Sequence, residues 1–74
     1  MSLDEIIKNI RKELNITQEQ LARDLDISYA TLNRWENGHN IPNRLTRKAI
    51  AAYCGKKGIS SKIIIALEQY KGAN

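Results

Sequence analysis

Apolar residues recur along this chain in short stretches at helical spacing. Leu3, Ile6, Ile7, Ile10 and Leu14 fall at i, i+3, i+4, i+7 and i+11, a stripe that predicts an amphipathic helix. Asp4 and Glu5 near its start and Arg11 and Lys12 near its end suit the helix dipole. A second start follows. Thr17 stands as N-cap, Gln20 three residues on completes a capping box, and Ile16 and Leu21 take the spacing of a hydrophobic staple. Leu21, Ala22 and Leu25 give this helix a short apolar face, and Asp26 marks its stop. Ser28 opens a third helix, with Ile27 and Leu32 at staple spacing, Leu32 and Trp35 as its buried edge, and Asn37-Gly38 as its end. Residues 39–42 read as loop. Asn43 then caps a fourth helix whose Leu45, Ala49, Ile50, Ala52 and Tyr53 are expected to face the core. Residues 55–58, with Lys56 and Lys57 between two glycines, read as a basic turn. A last segment opens at Ser60 or Ser61 and runs to about Lys71. As a helix it buries Ile63, Ile64, Leu67 and Tyr70, with Ile59 and Ile64 as staple. As a strand it rests on the β propensity of Ile63-Ile64-Ile65, and the helix formers Ala66, Leu67, Glu68 and Gln69 favour helix.

Only residues 26–28 join the second and third helices. So short a joint forbids an antiparallel pair, and the two must cross steeply, as in a helix-turn-helix. The whole chain has 74 residues, enough for one domain, 1–74, and too few for two. It has one cysteine, Cys54, and one histidine, His39, which excludes a disulfide framework and a Cys/His zinc site within the chain. The longest unbroken apolar run is residues 63–67, far short of the roughly 20 residues of a membrane span. No basic-then-apolar leader opens the chain, so the expected location is cytoplasmic, with no membrane partner. Net charge is +4, unevenly spread: residues 1–27 sum to −2 and residues 28–74 to +6. A basic half beside an acidic one suits an anionic partner, nucleic acid before membrane surface.

The stretch Thr17-Gln18-Glu19-Gln20-Leu21-Ala22, followed by Ile27-Ser28 and by Leu32-Asn33-Arg34-Trp35-Glu36-Asn37-Gly38, resembles the helix-turn-helix of the lambdoid phage repressor and Cro-like (Xre-type) family. The resemblance covers about residues 5–53. It implies an all-α, compact domain of four to five helices that binds double-stranded DNA and regulates transcription, usually as a homodimer on a near-palindromic operator in a bacterial or phage setting. Two positions depart from the family pattern. Asp26 stands where the turn often has Gly, though Asp also tolerates the left-handed conformation. Tyr29 and Ala30 stand where the recognition helix often begins with glutamines.

In that docking geometry the second helix of the motif enters the major groove and the first crosses the backbone. The recognition helix, about 28–37, would then present Ser28, Tyr29, Ala30, Asn33 and Arg34 to bases. Asn33 suits an adenine edge, Arg34 a guanine edge or a phosphate, and Ala30 a thymine methyl. The alternative for each is an ordinary solvated helix face, over which the motif favours base contact for Asn33 and Tyr29. The resemblance makes Gln18 a phosphate contact that also braces the recognition helix. Asn37, Asn40, Asn43 and Arg44 would meet the DNA backbone, with Arg47 and Lys48 on the same side. It also pairs Arg11 with Glu36 as a largely buried ion pair fixing the recognition helix. Trp35 reads as core and Cys54 as a small buried hydrophobe. His39 reads as a polar loop residue. No Gly-rich phosphate loop, carboxylate dyad or metal-spaced cluster occurs, so no enzyme, cofactor or small-molecule substrate is expected. Ile65, if the last segment is helical, points away from its apolar face and becomes a possible contact with a second chain. The rival reading is an antitoxin-like or adaptor module using the same fold to bind protein. The polar residues kept on the third helix favour DNA.

Overall fold

The computed structural model describes residues 2–70, in which five helices follow one another: α1 (Leu3–Leu14), α2 (Gln18–Asp24), α3 (Tyr29–Glu36), α4 (Arg44–Lys57) and α5 (Ser61–Glu68). The fold is all-α, and the last segment takes its helical form. That helix stops at Glu68 with Gln69 as its C-cap, short of the expected end near Lys71, a residue outside the described ones. The α1 stripe is buried as its spacing demands, Leu3, Ile6, Ile7 and Ile10 all facing the interior. Its start is tied by the Glu5 carboxylate, which accepts from both the Ser2 N–H and the Ser2 hydroxyl at 3.0 Å. Its end is turned by Asn15 in the left-handed region at φ 56°, which lets the Ile16 N–H reach back to the Arg11 carbonyl.

Thr17 caps α2, its hydroxyl accepting from the Gln20 N–H at 3.1 Å. The reciprocal arm of the expected capping box does not form, and the Gln20 amide nitrogen donates along the helix to Asp24 Oδ1 at 2.8 Å. Asp26 takes φ 58°, the left-handed turn anticipated for it, and brings the chain straight into Ser28. The Ser28 hydroxyl caps α3 by accepting from the Thr31 N–H at 3.0 Å. Leu32 and Trp35 then enter the core with Leu21 and Ala22.

The structure corrects the reading of α4 in three respects. First, the helix runs through residues 55–57, and the turn is delivered by Gly58 alone at φ 74°. A lone Gly55 inside a helix costs only about 1 kcal/mol, which the flanking turns absorb. Second, Leu45, Ala49 and Ala52 lie in solvent, Leu45 at 78% exposure, while Arg47, Ile50, Ala51 and Cys54 turn inward at i, i+3, i+4 and i+7. Third, Arg47 is therefore not a free surface cation. Its Nη1 donates to the Pro42 carbonyl at 2.9 Å, and its guanidinium lies 5.4 Å from the centre of the Tyr70 ring. Apolar residues surround this helix, so the arginine, with a stem long enough to bury and a head that finds a carbonyl, decides which side goes in.

Helix α5 folds back against α4 and α1, burying Ile63 and Leu67 and half-burying Ile64 and Tyr70. Two polar ties hold the ends. Glu13 of α1 accepts from the Ser60 N–H at 3.1 Å and the Ser60 hydroxyl at 3.0 Å, which satisfies the start of α5. The Tyr53 hydroxyl donates to Asp24 Oδ2 at 2.8 Å, joining α4 to the end of α2. Ile65 is left half-exposed, as its position on the helix requires.

Candidate nucleic-acid interface

On α3 the helical step of 100° per residue puts Tyr29, Asn33, Asn37, Ala30 and Arg34 within one arc, and Leu32, Trp35 and Glu36 within the opposite one. The burial follows that division: Leu32, Trp35 and Glu36 are buried, Tyr29, Ala30, Arg34 and Asn37 are exposed, and Asn33 is intermediate. Ser28 is exposed too, but its hydroxyl is engaged at the helix start, accepting from Thr31 N–H and donating to Thr31 Oγ1 at 2.9 Å. Thr31, which the sequence pattern did not single out, thus sets how Ser28 is presented. The Asn37 amide donates to Asn33 Oδ1 at 2.6 Å, so the two asparagines form one oriented amide pair along the outer arc.

The opposite arc is bolted to α1 and α2. Arg11 Nε and Nη2 donate to the two Glu36 carboxylate oxygens at 2.7 and 2.8 Å, a fork-to-fork pair. Gln18 Nε2 adds a third hydrogen bond to Glu36 Oε1 at 3.0 Å. The Glu36 side chain is 3% exposed and that of Arg11 28%. Glu36 hydrogen bonding holds the Arg11 guanidinium above its ordinary pKa, against the opposing effect of burial. The expected pair therefore forms, and the bracing expected of Gln18 is made through Glu36.

Asn40, Asn43 and Arg44 are all exposed in the segment after α3. Asn43 doubles as the cap of α4, its Oδ1 accepting from the Thr46 N–H at 2.9 Å. His39 is exposed in the loop, its backbone N–H on the Arg34 carbonyl. The cations open to solvent here are Arg34, Arg44 and Lys48. Cys54 is fully buried, and burial, with Glu13 adding, pushes its thiol up to about 11, far from thiolate chemistry. Among the described residues no three His, Cys, Asp or Glu side chains are grouped to hold a metal, and no helix is long and apolar enough to cross a membrane.

The Helix-turn-helix family pattern matches residues 7–62, and the chain belongs to that family. The match reaches further than the motif residues 5–53 suggested, taking in the start of α5. The HTH-type transcriptional activator BcrR of Enterococcus faecalis is 36% identical over 53 residues, 72% of this chain and 26% of BcrR. The chain thus spans about a quarter of the length of that curated relative. No solved structure matches the chain.

Proposed function

We propose that this chain is a sequence-specific double-stranded DNA-binding transcriptional regulator that lays α3 in the major groove. The observation that carries the reading is the two-sided character of α3. Its outer arc offers an oriented Asn33–Asn37 pair, Arg34 and Tyr29, while its inner arc is immobilised through Glu36. A helix meant to read base edges needs both properties, since a side chain that distinguishes bases must be held in register. Ser28, Tyr29, Ala30, Asn33 and Arg34 face the bases in this reading. Gln18, Asn37, Asn40, Asn43 and Arg44 meet phosphates and supply the salt-sensitive share of affinity. Membership of the Helix-turn-helix family and the name of the enterococcal relative support regulation of transcription as the purpose.

One copy carries a single recognition helix, so two half-sites about 34 Å apart call for two copies. A homodimer on a near-palindromic operator therefore completes the reading, with Ile65 at the contact between copies and the cytoplasm as its setting. Binding-site selection from random duplex DNA at about 0.15 M salt tests it. Enrichment of one sequence with two related half-sites is expected. Recovery of no preferred sequence would overturn direct readout and favour a module that binds protein through the same fold.

A further inference from the structure

Between the first half of α4 and the end of α5 lies a cleft of about 440 Å³, whose walls include Arg44, Arg47 and Lys48 on one side and Leu67, Glu68 and Tyr70 on the other. That volume falls within the range of sites that hold small molecules. Three cations face one carboxylate across it. At its floor the Arg47 residue is 7% exposed, with one hydrogen bond, from Nη1 to the Pro42 carbonyl, and the Tyr70 ring beside it. No described carboxylate pairs with it, the only ion pair among the described residues being that of Arg11 with Glu36. No buried side-chain nitrogen or oxygen among them lacks a partner. Arg47 Nε and Nη2 have no hydrogen-bond partner among the described residues and so are not sealed from solvent, and Arg47 lines this cleft. A guanidinium has five N–H donors in a fixed fork, well matched to a carboxylate or phosphate. The half-buried Tyr70 ring, backed by the buried Leu67, adds apolar wall next to that fork.

We propose that the α4–α5 cleft binds a small organic anion, a carboxylate or phosphate carried on a flat apolar body. The Arg47 fork takes the anionic group, Arg44 and Lys48 flank it, and the body lies against the Tyr70 ring. Burial makes this arginine a better anchor than a surface lysine, because its charge is desolvated and its fork already oriented. The site lies away from the outer arc of α3 but shares Arg44 with the proposed phosphate contacts, so it is tested on the chain without DNA.

Amide-resolved NMR titration of the full, DNA-free chain at constant ionic strength tests it, with phenyl phosphate and benzoate as probes and inorganic phosphate as comparison. Saturable shifts centred on Arg47, Leu67 and Tyr70 are expected with either aromatic anion, and weaker binding with inorganic phosphate. Arg47→Gln should weaken binding about tenfold or more. Tyr70→Ala, which leaves the Arg47 bond to Pro42 in place, should also weaken it while the rest of the spectrum keeps its folded pattern. Lys56→Gln should change nothing. Non-saturable shifts spread over Lys56, Lys57 and Lys62, or undiminished binding by both cleft variants, would overturn the proposal. So would inorganic phosphate binding as well as phenyl phosphate, or shifts at Arg47 and Tyr70 that only duplex DNA produces.

Discussion

Glu36 accepts three hydrogen bonds inside the protein, two from Arg11 and one from Gln18. Such a carboxylate tolerates burial only while its donors stay. Arg11→Ala leaves it with the Gln18 amide alone and is expected to cost about 3 kcal/mol, read from urea unfolding followed by Trp35 fluorescence. A loss below about 1 kcal/mol would show the pair to be a surface ornament. Asn33 belongs to the same scale. Its Oδ1 already accepts from Asn37, yet a carbonyl oxygen has a second lone pair, so the amide can still accept from adenine N6 and donate to N7. Asn33→Ala should lose about 1–3 kcal/mol at one base pair of the selected operator and little on random duplex. Equal losses on both would remove Asn33 from the reading residues.

Among the elements, α1, α2 and α3 were legible because each has a single apolar face that agrees with its end signals, dipole-matched charges for α1 and capping residues for α2 and α3. Helix α4 was not, because apolar residues surround it, and counting Arg47 as polar sends the wrong face inward. The exposed arc of α3 was legible from helical spacing, and the Arg11–Glu36 contact, 25 positions apart, only through the family resemblance. It was opaque where side chains distant in sequence meet. Glu13 and Ser60 are 47 positions apart, and neither has a local pattern that names the other. That tie anchors the start of α5. Glu13→Ala is expected to cost about 1 kcal/mol and to speed hydrogen exchange of the first amides of α5 more than those of α2. Uniform acceleration across all helices would mean that the tie has no local role.

For the molecule as a whole, acidity works through the carboxylates that receive hydrogen bonds. Glu5 is held below its ordinary pKa by the Ser2 N–H and hydroxyl, and Asp24 by the Tyr53 hydroxyl and then the Gln20 amide. Near pH 3–4 the unfolded chain therefore binds more protons than the folded one. Their contribution is complete above the ordinary carboxylate range and is lost as pH falls below it. The other end of the Tyr53 link behaves oppositely. Burial, and then the bond to Asp24, raise the phenol above its ordinary value of 10.0, so its contribution holds below that value and fades as pH climbs past it. Tyr53→Phe should flatten both limbs of a plot of melting temperature against pH, and unchanged limbs would sever Asp24 from the acid loss. Assembly belongs to this scale as well. Ile65→Asp should leave melting nearly unchanged, since the side chain is half-exposed, but abolish a dimer in sedimentation equilibrium. A dimer that survives it places the contact elsewhere.

The thiol of Cys54 sits where α4 closes over the core, fully covered and far from its ionised form at neutral pH. It is also the only sulfhydryl in the chain. Each molecule thus carries a built-in chemical clock: an alkylating reagent can mark it only when α4 lifts away. Counting marked molecules by mass over time turns the rarest opening of this small core into a quantity measurable in the unmodified wild-type chain, with DNA or a small anion present or absent.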